Sequence, residues 1–268
     1  MSTLTLSAPS PHLHYVLSLA DDQLILGQRL SAWSGRGPTL EEDMALSNIA
    51  LDHIGAARNL YSHASVLHAA SGGHGDGTVA TVLGEDDFAY RRAGPGFFNC
   101  LLVERPNGDF AHTIVRQVLF SVFALLQWQA MKASSDEMLS AIAGKSEKEA
   151  RYHVRHSGDW LIRLGDGTAE SRGRTQNALL ALWPYVDELF QAPSDFDRLI
   201  SDGVAPDPAQ LKAPWQAMVG EALKGATLPF PDVTARHSGG RAGHHTEALE
   251  PLLGELQSVH RMYPGATW

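Results

Sequence analysis

The sequence predicts an all-α protein, and three observations point to this class. Apolar residues recur at intervals near 3.6 over segments of about twenty to thirty residues, which is typical of amphipathic helices. Helix-capping residues begin these segments, and glycine or proline ends them. No alternating apolar and polar run of useful length indicates a β-strand. Because long helices joined in antiparallel pairs pack as bundles, we expect a long-helix bundle with additional C-terminal helices.

The first half of the bundle is predicted from two adjacent segments. A helix over Leu13–Trp33 ends at the Gly35–Pro38 turn. Thr39 caps a second helix that runs to about Ala70, with acidic residues in its first turn near the positive end of the helix dipole. Residues 1–11 are rich in serine, threonine and proline, and we expect a flexible tail there. Residues 12–268 are expected to form a single domain.

A glycine-rich connection over residues 74–96 separates the two halves, and a short helix is predicted within it at Glu85–Tyr90. Some four-helix bundles use such a long crossover between their halves. The turn Pro106–Gly108 then precedes a third long helix over Asp109–Lys132, with Asp109 as its cap.

The remaining helices follow from the same period and from their end signals. A fourth long helix is predicted over Ser135–Leu164, and the turn that begins at Gly165 ends it. The further predicted helices are Ser171–Gln191 with a kink at Pro184, Pro208–Ala226, and Thr246–Met262.

Composition and charge narrow the classes of function. The chain has 21 Lys and Arg against 30 Asp and Glu, a net charge of −9, which disfavours a nucleic-acid-binding protein because such proteins carry a basic stripe. The single cysteine, Cys100, excludes an intrachain disulfide, a zinc ribbon and an iron–sulfur cluster, and fits a reducing cytoplasm. No uninterrupted apolar run approaches the roughly 18 residues of a membrane span.

Chemistry in a helical bundle lies on inward faces, and two helices carry polar residues there. The second helix places Asn48, Asp52 and Asn59 on one stripe, and the fourth places Glu149 and His153 on one face, together with Tyr152, His156 and Trp160. An inward carboxylate is more often paired with an arginine than bound to a metal. The arginines available for such pairing are Arg58, Arg116, Arg151 and Arg155.

Di-iron bundles provide the relevant comparison, because they use a Glu from each of two helices and a Glu-x-x-His from each of the other two. Asp52 is followed three residues later by Gly55, and Glu149 by Tyr152, where the pattern requires histidine. The positions that correspond to ligands form a degenerate pseudo-site: Asp21 or Asp22, Asp52, Gln117, Glu149 and His153. We therefore predict no catalytic, cofactor-binding or metal-binding residue in this chain.

A second cluster of candidate ligands lies in the loop His237–Glu247, which holds three histidines and a glutamate. It could bind a metal ion. A glycine-rich loop preorganises ligands poorly, however, and we favour a docking or capping segment, with Thr246 starting the last helix.

Several motifs in both halves of the chain form a recognisable combination: Gln28–Leu30 with Trp33, Asn48–Gly55 followed by Ala57–Asn59, Leu102–Ala111, Thr113–Ile114, Arg116–Gln117, Lys148–His153, Trp160–Thr168, Gly239–Glu247, and Arg261–Gly265 with Trp268. In these motifs the chain resembles the C-type (PaaC) family of ring-1,2-phenylacetyl-CoA epoxidase components, from the bacterial aerobic phenylacetate pathway. The resemblance spans about residue 14 to the last residue.

The resemblance implies a ferritin-like bundle that pairs with a related A-type subunit, which carries the di-iron centre and binds phenylacetyl-CoA. That complex adds one oxygen atom of O₂ to the aromatic ring, with NADPH-derived electrons from a flavin and iron–sulfur reductase, and contains a further small subunit. The C-type chain is implied to be a non-catalytic, cytoplasmic structural subunit without a cofactor of its own.

Two other functions remain open. One is a catalytically active di-iron oxidoreductase with Asp21 or Asp22, Asp52, Glu149 and His153 as unorthodox ligands. The other is a free-standing binding protein for an acyl-CoA, for which Arg91, Arg92 and Arg105 would supply a basic patch.

Overall fold

The computed structural model describes residues 3–6, 9–71, 83–264 and 266, and it confirms the all-α, ferritin-like fold class. Within those ranges, β-structure is limited to one isolated bridge between Leu4 and Arg92. The α-helices of these residues are α1 (Pro11–Ser31), α2 (Leu40–Ala70), α3 (Glu85–Tyr90), α4 (Leu101–Glu104), α5 (Phe110–Met131), α6 (Glu137–Gly165), α7 (Ala169–Leu182), α8 (Asp197–Ser201), α9 (Lys212–Gly225), α10 (Leu249–Leu256) and α11 (Ser258–Met262).

The chain divides into two compact units. Unit 1 comprises Met1–Arg105 and Gly239–Trp268, and unit 2 comprises Pro106–Ser238. Unit 1 contains α1 to α4 with α10 and α11, and unit 2 contains α5 to α9. The prediction of one domain over residues 12–268 stays a prediction.

Unit 1 is built on α1 and α2, which pack against each other. Ser10 caps α1, since its Oγ accepts a hydrogen bond from the Leu13 amide at 3.3 Å, and Thr39 caps α2 as predicted. At Gly27 of α1 an added Cβ would lie 2.9 Å from the Ile54 side chain of α2. The small residue therefore permits the close approach of the two helices at this level.

The segments around α1 and α2 agree in part with the sequence prediction. The short helix α3 has the predicted bounds, Glu85–Tyr90. In the expected flexible tail, Leu4 is buried and its amide donates to the Arg91 carbonyl at 2.7 Å. Residues 1, 2, 7 and 8 of that tail, and residues 74–82 of the predicted connection, lie outside the described residues.

Unit 2 is built on α5 and α6, and Asp109 caps α5 as predicted by accepting from the His112 amide at 2.9 Å. The α5 helix is the one helix among the described residues that is long and apolar enough to cross a membrane by length and composition. However, 83% of its apolar window is buried inside the protein, as in the core helix of a soluble protein.

Two predicted helices of unit 2 have different bounds in the structure. The helix predicted to kink at Pro184 instead ends at Leu182 and continues as the 3₁₀ turns Trp183–Tyr185 and Asp187–Phe190. Proline lacks the amide hydrogen that an α-helix needs, so the helix stops before it. The helix predicted from Pro208 starts with a 3₁₀ turn, and its α-helical part, α9, begins only at Lys212.

The helix predicted over Thr246–Met262 is in fact two short helices, α10 and α11, and begins at Leu249. They are separated at Gln257, which is fully buried. Its side-chain nitrogen, Nε2, donates to the carbonyls of Ala89 at 3.2 Å and of Arg92 at 2.9 Å. These contacts tie the C-terminal helices to α3 and to the segment after it, and sequence periodicity cannot reveal them.

Candidate functional site

A buried ion pair between α1 and the segment after α3 is the central polar feature of unit 1. Asp21 and Arg92 are both completely buried, and their closest nitrogen–oxygen distance is 2.5 Å. Asp21 Oδ1 also accepts from the Tyr61 hydroxyl at 2.5 Å, and Oδ2 accepts from Arg92 at 3.0 Å and from the Phe98 amide at 2.8 Å. A carboxylate offers about four lone-pair sites, so Asp21 is saturated with donors.

The guanidinium of Arg92 is held from several sides. It donates to the carbonyls of Phe88 at 2.6 Å and Gly96 at 2.7 Å, and lies 4.2 Å from the centre of the Phe97 ring. Burial by itself would lower the pKa of Arg92, but the charges and hydrogen bonds of Asp21 and Tyr61 together outweigh it and raise the pKa. Burial, together with Asp21, also raises the pKa of Tyr61 well above its ordinary value. Arg92 is therefore a permanent cation and Tyr61 a neutral phenol.

Asp22, the next residue of α1, has a different arginine partner. Its Oδ2 accepts from Arg241 at 2.6 Å, and its Oδ1 accepts from the Cys100 amide at 2.7 Å. Arg241 also donates to the carbonyls of Ser18 at 3.0 Å and Phe98 at 3.1 Å. Burial raises the pKa of Asp22, and the nearby charge of Arg241 offsets only part of that rise.

A third buried pair joins α4 to the loop before α10. Glu104 accepts from His245 Nδ1 at 2.7 Å, from Asn99 at 2.9 Å and from the Thr246 amide at 2.6 Å. His245 Nε2 contacts the Phe97 carbonyl oxygen at 2.8 Å. Both imidazole nitrogens thus face acceptors, which identifies His245 as a protonated imidazolium.

These contacts assign the histidine- and glycine-rich loop to docking within unit 1. Arg241 binds Asp22, His245 binds Glu104, and Gly240 packs on the Asn99 carbonyl so closely that a Cβ would overlap it. Thr246, expected to start the last helix, lies before it and donates its amide to Glu104. The preferred interpretation of this loop as a docking segment is thus correct for residues 239–247.

In unit 2, the buried carboxylate of α6 is Glu147 and not the predicted Glu149. Glu147 Oε2 accepts from Lys132 at 2.7 Å and Oε1 from Arg151 Nε at 3.0 Å. The hydrogen bonds from Lys132 and Arg151 lower the pKa of Glu147 to about 2. Glu149 is half-buried and lies 3.7 Å from Lys145, because the two glutamates are separated by about 200° around the helix.

The other predicted positions are distributed over both units. In unit 2, Gln117 and His153 are buried as expected. In unit 1, Asp52 is half-buried, while Asn48 and Asn59, predicted to face inward with it, are exposed. The buried polar residues of α2 include His53, whose Nδ1 lies 2.6 Å from Gln23 Oε1, and this imidazole was not predicted.

The arginines proposed from the sequence as charge partners make the following contacts. Arg58 pairs with Glu85, Arg116 donates to Asn107, and Arg151 pairs with Glu147. Arg155 lies over the Tyr152 ring.

Two of the three arginines of the basic patch suggested for an acyl-CoA are in ion pairs. Arg92 is completely buried in its pair with Asp21, and Arg91 is paired with Asp87 at 2.7 Å.

The acidic residues of α1 do not fit a di-iron centre. An iron ligand needs a carboxylate lone pair directed at the metal, and all those of Asp21 are already used. Arg92 beside Asp21 and Arg241 beside Asp22 place two cations where a metal ion would have to lie. The arrangement stabilises charge inside the fold.

The residues that form these pairs were only partly visible in the sequence. Glu104 belongs to the motif Leu102–Ala111, and Arg241 and His245 belong to the loop that was interpreted as a docking segment. Arg92 and Tyr61 carried no signal, since their spacing from Asp21 corresponds to no local pattern. A fully buried arginine is rare unless it is paired, and only the fold identifies it.

Comparison with known proteins agrees with the fold and with these motifs. Residues 3–268 match the family described as phenylacetic acid catabolic protein. The chain is 43% identical, over 254 residues, to the C-type component of the 1,2-phenylacetyl-CoA epoxidase of Escherichia coli (strain K12), and the alignment covers 95% of this chain and 98% of that protein. This chain therefore belongs to the phenylacetic acid catabolic protein family.

Proposed function

We propose that this chain is the non-catalytic structural subunit of a multicomponent phenylacetyl-CoA 1,2-epoxidase. In this role it stabilises a related A-type subunit that carries the di-iron centre, and the assembled complex acts in aerobic phenylacetate catabolism. The 43% identity to a C-type epoxidase component supports the assignment to such a complex.

The observation that carries the non-catalytic role is the saturation of Asp21. Both of its oxygens accept hydrogen bonds from Arg92, and Tyr61 and Phe98 supply one more each. Replacing metal by guanidinium keeps a buried carboxylate neutralised without redox chemistry. The carboxylate of Asp22 is neutralised in the same way by Arg241.

A structural role has a physical basis in the packing of helices. A catalytic bundle must admit substrate and oxygen, so it keeps internal space and loses packing energy. A second bundle whose interior is closed by ion pairs and apolar side chains can support the first from outside. We expect the partners to be the A-type subunit, a further small subunit and a reductase, all in the cytoplasm.

The alternative is a catalytically active di-iron oxidoreductase. Iron analysis separates the two functions. The chain and the A-type subunit are expressed separately in iron-supplemented medium, purified in the same way and analysed for metal. We expect iron in the A-type subunit and only trace iron in this chain. A di-iron stoichiometry in this chain would overturn the structural role.

The supporting role has its own measurement. Thermal unfolding of the A-type subunit is followed with and without an equimolar amount of this chain. We expect a higher Tm for the A-type subunit in the mixture, since binding to the native state stabilises it. An unchanged Tm at concentrations where the two proteins co-elute would contradict stabilisation.

A further inference from the structure

Unit 1 has a cavity between α1, α2 and α3, and the side chains of its buried ion pairs leave this cavity open. Its volume is about 230 Å³. Apolar and aromatic groups line most of it, including Leu24, Ile54 and Tyr61, and Asp86 and Tyr90 form one side. Arg58 is held at its wall by Glu85, at 2.7 Å.

A second cavity, of about 300 Å³, lies next to the first. It is lined by Leu256, Val259 and His260, and it shares Asp86 and Tyr90 with the first cavity. The rings of Tyr90 and His260 are stacked with their centres 5.5 Å apart. The two cavities thus form one continuous feature with Asp86 and Tyr90 in the middle, which we call the Asp86 surface.

Large apolar side chains that line this surface, or lie one turn away on the same helix, are open to solvent. Ile54 is 37% exposed at the edge of the first cavity, and Leu51, three residues before it on α2, is 64% exposed. Val259 of the second cavity is 52% exposed and Met262, three residues later, is 66% exposed. Apolar residues concentrated beside cavities mark protein interaction sites, whereas scattered ones need no explanation.

The charge of the Asp86 surface is negative. Asp86 is exposed, and no ion pair joins it to a cation within the part of the chain that the structure describes. Burial, and then the negative charges of Asp86 and Glu85, raise the pKa of Tyr90. A basic group is therefore favoured in the middle of the surface, and the net charge of −9 adds to the attraction at long range.

We propose that the Asp86 surface is the docking site for a basic segment of the A-type subunit, which inserts large apolar side chains into the two cavities and places an arginine or lysine beside Asp86. The proposal rests on the proposed function and specifies where the partner binds.

The charge and the lining of the cavities favour a protein over a CoA thioester. The phosphates of CoA would be repelled by Asp86, whereas the charge of Glu85 is balanced by Arg58. A cavity lined by aromatic residues with exposed apolar neighbours matches the pockets that receive single anchor side chains at interfaces.

The test measures the Kd between this purified chain and the purified A-type subunit by biolayer interferometry. Asp86→Lys reverses the central charge, and Val259→Arg places a cation at the apolar edge. We expect each variant to raise the Kd about tenfold or more. Matched controls are Asp159→Lys and Met138→Arg, which change an exposed aspartate and an exposed apolar residue of α6, and we expect them to leave the Kd unchanged.

Two further measurements make the result specific. Higher salt should weaken wild-type binding more than binding by Asp86→Asn, because that variant lacks the charge being screened. Circular dichroism and Tm verify that each variant is folded, and Val259→Arg still tests the surface if Asp86→Lys does not fold.

The outcomes separate this inference from the proposed function. If the wild-type chain does not bind the A-type subunit, the proposed partnership itself fails. If it binds, and Asp86→Lys and Val259→Arg bind equally well, the docking site is wrong while the partnership stands. Loss of self-association in these variants with unchanged binding of the A-type subunit would overturn the proposal in favour of a second copy of this chain.

Discussion

Arg92 and Asp21 form a completely buried ion pair although they are 71 positions apart in the sequence. The pair joins the middle of α1 to the segment that follows α3. It satisfies the carboxylate that sequence comparison with di-iron bundles singles out as a candidate ligand. Charge neutralisation by arginine, which is the commoner solution for a buried carboxylate, is thus realised in unit 1.

The first prediction concerns the stability of this pair. Arg92→Ala leaves the carboxylate of Asp21 buried without its cation, and we expect a loss of about 3–5 kcal/mol in the free energy of unfolding. Arg58→Ala removes an exposed pair with Glu85 and should cost only about 0–1 kcal/mol. Urea denaturation measures both. Equal losses for the two variants would show that the buried pair contributes no more than a surface one.

The second prediction concerns pH and the pair of His245 with Glu104. Burial alone would lower the pKa of His245, but the hydrogen bond and charge of Glu104, with smaller contributions from Phe97 and Asp21, raise it above its ordinary 6.5. Because the pKa of His245 is raised in the folded state, its protonated form stabilises the protein fully below pH 6.5. This stabilisation is lost as the pH rises through the folded-state pKa. At Glu104, burial would raise the pKa, but the contacts with His245 and Thr246 outweigh it and lower the pKa from 4.5. The ionised Glu104 therefore stabilises the protein above pH 4.5, and this stabilisation is lost at lower pH.

His245→Gln should therefore destabilise the protein most between pH 4.5 and 6.5, and the difference from wild type should shrink as the pH rises. Unfolding free energies measured from pH 5 to 9 test this. The control is His244→Gln, which changes the exposed neighbouring histidine and should give a small difference at every pH. A difference for His245→Gln that grows toward alkaline pH would exclude the protonated pair.

The third prediction separates the two glutamates of α6. Lys132 and Arg151 lower the pKa of Glu147 to about 2 from 4.5. Because the pKa of Glu147 is lowered in the folded state, its ionised form stabilises the protein above pH 4.5. This stabilisation is lost as the pH falls through 2. We expect the destabilisation caused by Glu147→Gln to be constant at neutral pH and to decrease between pH 4.5 and 2.

Glu149→Gln is the matched control, on the same helix and with a single lysine neighbour at 3.7 Å. Its effect on the urea midpoint at pH 7 should be smaller than that of Glu147→Gln. The sequence pattern alone gave the opposite expectation, with Glu149 as the inward residue. A larger effect at Glu149 would restore that interpretation.

The fourth prediction concerns the docking of the loop after residue 238. Gly240→Ala would push a methyl group into the Asn99 carbonyl, and we expect destabilisation of about 1–3 kcal/mol. Gly254→Ala on α10 meets no atom within 4 Å and should stabilise by about 0.5–1 kcal/mol, because alanine is the better helix former. Thermal unfolding distinguishes the two signs, and a neutral Gly240→Ala would show that the loop does not pack there as described.

Local chemistry was sufficient to predict the longer helices and many of their ends, whereas the short helices α4 and α8 were not predicted. The caps at Thr39 and Asp109 and the short helix Glu85–Tyr90 were predicted correctly, because the signals lie within a few residues. The last helix has wrong bounds at a place where residues far apart along the chain meet. Gln257 interrupts the last helix by binding the carbonyls of Ala89 and Arg92, which no local pattern encodes.

The sequence by itself determined the all-α class, the acidic balance and the absence of Glu-x-x-His spacing, since each depends on residue types and short intervals. Only the tertiary structure decided which charges are buried and how they are neutralised. Asp21 pairs with Arg92, and Asp22 with Arg241, which is 219 positions away. Such pairs depend on which surfaces the folded chain brings together, and the free energy of burying a charge then fixes its partner.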